Sequence, residues 1–282
     1  MKLIPWQVRD YLDFRKFFGR IPNLKKPETM NEKVLYRKRF HCNNKFYTIL
    51  ADKFLVRDYV TQRIGEEYLI PLIDCLDKPE EVINNISKYH DTVIKSNHAS
   101  RMVYVVPDDL SDINLGQLRS DISKWMRTDY SKRHGEYQYK NIKRKILVEK
   151  FIGDKNTLPV DFKIHIFKSA SGEYSYVIQV IENRAKHETS HSYFINNLEN
   201  SFSGDFKFSG TEREIIVEAV KLSYKLLGKL EYARVDWYII DSKLYFGEIT
   251  LTPGAGLGGN IRGELDIIMG SMWDLSLAPK LQ

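Results

Sequence analysis

Residues 233–250 constrain the fold more than any other stretch. Two strand-like segments, 233–240 and 243–250, are separated only by Asp241-Ser242. Segments of this kind joined by a two-residue turn read as an antiparallel hairpin. A helical pattern precedes them over 211–228, with Ile215, Ala219, Leu222 and Leu226 on one face. Thr211 and Glu214 offer it a capping box and Gly228 a stop. Upstream, 161–167 and 174–181 flank Ser169-Ala170-Ser171-Gly172, a second hairpin signal. Hairpins mixed with single helices, rather than regular βαβ alternation, indicate the α+β class.

The first half is more helical. Helices are expected over 28–39, 45–64, 79–87 and 115–127, after a basic, helical N-terminal stretch. Strands are expected over 68–72, 91–96 with 101–106 as its hairpin partner, and 146–152. Residues 128–144 carry five Lys or Arg and three Tyr and read as a mobile connection. Residues 184–210 are polar without periodicity and read as a surface crossing.

A chain of 282 residues accommodates one large or two small domains. Its 43% apolar and 28% charged residues exclude wholesale disorder. With 16 glycines and 9 prolines it is neither fibrous nor low-complexity. No apolar run approaches the ~20 residues that span a bilayer, and the charged start does not read as a signal peptide. Cys42 and Cys75 cannot form a disulfide framework or a four-Cys zinc site, so a cytoplasmic location is expected. The net charge of +6 suits an anionic partner or serves solubility alone.

The strongest chemical constellation is Arg234-Val235-Asp236 facing Glu248-Ile249-Thr250 at one end of the hairpin. Alternation keeps Arg234 with Asp236 on one face, and Glu248 with Thr250 on one face. Two carboxylates and a hydroxyl suit Mg²⁺, and the guanidinium suits phosphate. The plainer alternative is a surface ion pair between Arg234 and Glu248. The glycine-rich 253–259 that follows supplies backbone amides for an anion. Lys95, at the end of an apolar strand, is either a phosphate contact or an edge lysine. Lys53, read on a helix, is otherwise a solvated side chain near Arg57. No Walker loop, no G-x-G-x-x-G after a strand, no hydrolase elbow and no zinc pattern is present. The pair His187 and His191 reads as surface.

Together, RVD at 234–236 and EITLTPG at 248–254 resemble the C-terminal signature of ATP-grasp enzymes, after Asp52-Lys53, VIK ending at Lys95 and LVEKFI at 147–152. Phrases such as FRKFFGRIPNLKKPETMNEK, LADKFLVRDYV, VIKSNH and YFGEITLTPGAG resemble the TupA-like branch, linked to teichuronopeptide and surface-polysaccharide biosynthesis. That resemblance spans about residues 14–260.

The resemblance implies an ATP-grasp fold: two α+β subdomains with nucleotide between them, 51–145 and 146–282, preceded by a helical segment 1–50. It implies an ATP-dependent carboxylate–amine ligase working through an acyl phosphate. Asp236, Glu248 and Thr250 would hold Mg²⁺, and Lys53 and Lys95 would contact the phosphates of ATP. The adenine hinge would be 149–152, with Glu149, Lys150 and Ile152. Arg234 and the Gly254 amide would stabilise the oxyanion, and Lys163 and Arg184 would serve phosphate or substrate carboxylate. The implied partners are an acidic glycan or sugar nucleotide carrying a uronate, and an amino acid or amino alcohol as amine donor. Peripheral association with polysaccharide-assembly machinery is also implied, and no nucleic acid is expected. A glycan kinase and a non-catalytic glycan-binding protein are the rival expectations. The second is motivated by the lid, where Ala99-Ser100-Arg101 replaces the Gly-Ser-Gly of relatives. Arg101 is expected to supply there the phosphate contact that glycine amides would have made.

Overall fold

The computed structural model describes residues 5–154, 159–182, 189–258 and 260–279. It opens with α1 (Trp6–Phe18) and α2 (Met30–Phe40). Thr29 caps α2 through the Glu32 amide, and Glu32 reaches back to the Thr29 amide.

The helix expected over 45–64 is instead two helices, α3 (Lys45–Ala51) and α4 (Val56–Ile64). The break is at Asp52, whose carboxylate accepts from the Phe54 amide at 2.8 Å and from Asn97 Nδ2 at 2.9 Å. A buried Asp that bonds nearby backbone competes with helical hydrogen bonding. Lys53 therefore sits in a turn between helices, not on one.

Next come β1 (Leu72–Leu76), α5 (Pro79–Asn85), β2 (Thr92–Ser96), β3 (Val103–Val105), α6 (Leu115–Arg127), α7 (Ser131–His134) and β4 (Ile146–Lys150). The strand expected over 68–72 begins four residues later, because 66–68 form a 3₁₀ turn and Pro71 has no N–H for a ladder. The strands pair antiparallel in the order β1-β4-β2-β3. Val82 of α5 and Leu118 and Ile122 of α6 share a core with Ile94, Ile146 and Val148 of the sheet. The segment read as a mobile connection is anchored, with Glu136 and Gln138 buried. Its lysines and arginines misled because they flank these inward positions in sequence.

The second sheet is built from β5 (Asp161–Lys168), β6 (Tyr174–Glu182), β7 (Ser190–Ile195), β8 (Tyr232–Ile240) and β9 (Lys243–Thr250), in the order β7-β6-β5-β8-β9. Helix α8 (Gly210–Leu227) lies between β7 and β8 in sequence, and α9 (Gly263–Met272) follows β9. The strand β7 falls in the stretch read as a loop, because its Ser-His-Ser start hides the alternation. Helix α8 is capped by Ser209 with Glu212, two residues before the expected box. One sheet face packs Ile164, Ile178, Val180, Val235 and Trp237 on Ala219 and Leu226 of α8. Among the described residues no helix is long and apolar enough to cross a membrane.

Candidate active site

The β8–β9 turn uses left-handed backbone at Asp241 (φ 50°) and Ser242 (φ 58°), as a two-residue hairpin requires. From this turn the register runs Ile240 opposite Lys243 and Trp237 opposite Phe246. Continued unchanged, it would set Asp236 against Gly247 and point Glu248 to the other face. A bulge follows instead, after which Asp236 faces Glu248 and Arg234 faces Thr250. The extra residue is Gly247, where a Cβ would lie 3.0 Å from the Asp236 carbonyl oxygen. Residues opposite one another share a face, so the bulge gathers all four polar side chains.

Arg234 is the hub of that cluster. Its Nε and Nη2 donate to the two Asp236 oxygens at 2.6 and 2.7 Å, and Nη2 reaches Thr250 Oγ1 at 2.9 Å and Glu248 Oε1 at 3.2 Å. Lys163, on β5, bridges Asp236 at 2.5 Å and Asp161 at 2.7 Å. Lys53 lies 3.4 Å from Glu248 and donates to the Ala99 carbonyl at 3.0 Å. Burial alone would raise the Glu248 carboxyl, but Lys53, Arg234 and Lys163 bring it down to about 2. The surface ion pair considered above is therefore one contact in a larger network.

A cleft of about 370 Å³ separates this cluster from the first sheet, lined by Lys53, Lys95, Arg101, Lys163, Asp236 and Glu248 among others. Lys95 is an inner group, bonded at 2.5 Å to Glu149, which also meets Arg57 at 3.3 Å. Arg101 has φ 62°, the backbone region that glycine favours, so the loop keeps a glycine-like turn without the glycine. Glu149, Lys150 and Ile152 are not among the described residues lining the cleft. Glu149 reaches it through Lys95, and the Lys150 amide is already given to the Pro71 carbonyl at 2.9 Å. Arg184 lies outside the described residues.

The loop after β9 is held from behind by α2. Arg37 donates to the Leu251 carbonyl at 3.1 Å, Lys38 to Ala255 at 3.0 Å and Asn31 to Ile261 at 2.9 Å. At Gly256 a Cβ would collide with Leu35 at 2.8 Å. Glu136 accepts from the Thr252 hydroxyl at 2.6 Å. These contacts fix Gly254, at φ 58° and exposed, beside Lys163 and Arg234 in a smaller pocket.

That pocket contains groups the sequence reading missed: His165 on β5, Gln179 on β6 and Asn260 after the loop. His191, read as surface, accepts from Gln179 at 3.0 Å and lies 3.3 Å from Asn260. Alternation from Lys163 to His165 was the available signal, since both must share a face.

The Asp236 and Glu248 carboxylates and the Thr250 hydroxyl are hard oxygen donors of the kind that fit Mg²⁺. Among the described residues no group of three or more His, Cys, Asp or Glu gathers around a metal position. Mg²⁺ commonly takes one or two carboxylates and completes its shell with phosphate oxygens and water.

The sequence and the fold match a known class. The sequence profile of the TupA-like ATPgrasp family matches residues 32–273, and the chain belongs to that family. Comparison with curated proteins finds no significant match. Among solved structures, the chain is similar to an L-amino acid ligase from Bacillus licheniformis, at 15% identity and TM-score 0.51 over 93% of this chain and 59% of the other. A D-alanine–D-alanine ligase from Bacillus anthracis complexed with ATP gives 17% identity and TM-score 0.46, over 78% and 64%. A D-alanine–D-alanine ligase from Helicobacter pylori gives 14% identity and TM-score 0.47, over 79% and 60%. The chain spans roughly half to two thirds of the length of such structures.

Proposed function

We propose that the chain is an ATP-dependent carboxylate–amine ligase that amidates a uronic acid of a bacterial surface polysaccharide. The observation that carries the ligase reading is the cluster around Arg234: its partners Asp236 and Glu248 line the 370 Å³ cleft, while Arg234 itself lines the smaller pocket with Gly254. Lys53, Lys95, Lys163 and Arg101 place positive charge where a triphosphate would lie. Asp236, Glu248 and Thr250 would hold Mg²⁺, which supplies charge neutralisation at the phosphates when bound.

In this reading a substrate carboxylate oxygen attacks the γ-phosphorus, and the bond to ADP breaks. The acyl phosphate so formed keeps its carbonyl beside Arg234 and the Gly254 amide. An amine, an amino acid or amino alcohol, then attacks that carbonyl. Negative charge develops on the carbonyl oxygen, and Arg234 with the Gly254 amide is placed to stabilise it. Inorganic phosphate leaves, carrying off the proton that the amine nitrogen gives up, and the amide remains. The fully buried Arg37–Glu231 pair and Lys38 keep the loop from retreating during this step.

The uronate and the polysaccharide setting rest on the resemblance of the chain's phrases to the TupA-like branch. The test is phosphate release from ATP with glucuronate and a panel of amines. A ligase releases phosphate only when carboxylate and amine are both present. Phosphoryl transfer to a sugar without an amine would replace this reading with a kinase.

A further inference from the structure

Residues 8–40 contain ten Lys or Arg and four Asp or Glu. The formal excess of the whole chain, +6, therefore lies in this one stretch, and the remaining residues sum to zero. Apolar exposure is concentrated there too. Of the fourteen large apolar side chains exposed among the described residues, five are Val8, Leu12, Phe17, Ile21 and Phe40. Single exposed apolar residues need no explanation, but five within so short a stretch, among its cations, do.

The helical repeat decides which of these residues face the same way. Val8, Leu12, Arg15 and Lys16 stand at i, i+4, i+7 and i+8 of α1 and form its exposed face. Asp10 and Phe14, on the opposite face, are buried. Tyr11 borders the exposed face. The Arg39 guanidinium of α2 lies 6.0 Å from the Tyr11 ring centroid and 5.8 Å from that of Phe40. Arg39 and Phe40, both exposed, thus widen the same surface. None of these seven residues is acidic. Of the two acids of α1, Asp10 is paired with Lys38 at 2.8 Å and Asp13 lies on the flank away from Tyr11. The loop after α1 adds exposed Ile21 and Lys25. No residue of this surface lines the nucleotide cleft or the pocket at Gly254.

Cations alone would suit any polyanion. Val8 and Leu12 beside Arg15 and Lys16 narrow the choice. Aliphatic side chains gain nothing from a hydrated polymer. They gain burial at the boundary between lipid headgroups and acyl chains, while Lys and Arg reach the phosphates. At 13 residues α1 is too short to span a bilayer, which needs about 20. We propose that the exposed face of α1, with Arg39 and Phe40, docks the chain on an anionic lipid bilayer. The helix lies in the plane of the surface, with Val8, Leu12 and Phe40 inserted and the cations at the headgroups. This goes beyond the ligase reading and does not depend on it.

The test is co-sedimentation of the full chain with vesicles of phosphatidylcholine alone, and with vesicles that also hold about 30% phosphatidylglycerol. The chain is expected to sediment with the mixed vesicles and not with phosphatidylcholine, and to be released as salt rises. Arg15→Gln combined with Lys16→Gln is expected to lower vesicle affinity about tenfold or more. Val8→Gln combined with Leu12→Gln leaves the charge unchanged and is expected to lower it about tenfold. All four positions are exposed and glutamine is a good helix former, so the fold is kept, as circular dichroism would check. A chain that stays in solution with the mixed vesicles, or sediments equally with phosphatidylcholine alone, would overturn the assignment. So would parental binding by the Val8→Gln, Leu12→Gln protein, since the surface would then read charge alone, as for a soluble polyanion.

Discussion

Lys38 Nζ, on the second helix of the chain, donates to the carbonyl oxygen of Ala255 at 3.0 Å, in the loop that presents Gly254. The same nitrogen is paired with Asp10 at 2.8 Å, and the Lys38 side chain is fully buried. The N-terminal helices are thus part of the site's supporting frame. Lys38→Met leaves Asp10 without its cation and the loop without its tether. The expected loss is about 3–5 kcal/mol of stability, read by urea denaturation. Adding Asp10→Leu should recover much of that stability without restoring turnover, because the Ala255 tether is still missing. A denaturation midpoint for Lys38→Met equal to that of the parent would refute the role.

The bulge at Gly247 makes a sharper prediction. In Gly247→Val the new Cβ would sit 3.0 Å from the Asp236 carbonyl, so the two strands must part or slip. The expected cost is about 1–3 kcal/mol. Mg-ATP binding should suffer more than the fold, since a slip of one residue turns Glu248 away from Asp236. Retention of parental nucleotide affinity would show that the alignment across the bulge does not matter.

Glu248 gives a pH dependence with a definite sign. Its folded value is about 2, against an ordinary 4.5, despite burial, because Lys53, Arg234 and Lys163 surround it. A depressed carboxyl contributes stability that is fully present above about 4.5 and is lost as pH falls towards 2. Glu248→Gln should flatten the stability profile over that interval. At neutral pH both Glu248→Gln and Asp236→Asn should abolish ATP turnover with the fold intact, measured at limiting Mg²⁺. Parental turnover in either variant would remove that residue from the metal assignment.

Arg101 combines a left-handed backbone, φ 62°, with a place on the cleft wall. Arg101→Gly relieves the backbone and removes the guanidinium at once. Stability is expected to change by no more than about 1 kcal/mol, since relief is offset by a more flexible unfolded chain. Mg-ATP affinity should fall, and Arg101→Lys should recover part of it, because the charge returns without the fork of donors. Equal affinity in all three proteins would place Arg101 outside the nucleotide contacts.

Much of the fold was legible locally. The hairpins at 161–181 and 233–250 and the helix over 115–127 follow from alternation, turn residues and apolar spacing, which are properties of neighbouring residues. Motif spacing likewise singled out Arg234, Asp236 and Glu248. The reading failed where a side chain far away in sequence competes. Asp52 broke a helix because it bonds Asn97. Residues 128–144 are anchored because Glu136 meets Thr252. His191 stays half-exposed, yet its contacts with Gln179 and Asn260 tie it to the smaller pocket, which no local signal shows.

Alternation along each strand was enough to put Arg234 with Asp236 on one face of β8 and Glu248 with Thr250 on one face of β9. It could not determine that these are the same face. A two-residue turn carried forward in strict register sets even-numbered residues opposite odd-numbered ones, and so separates the pairs. Only the bulge at Gly247 adds the one residue that brings them together. That choice is tertiary. Facing Asp236, Glu248 gains three surrounding cations that offset the cost of burying its charge, and no count along the chain contains them.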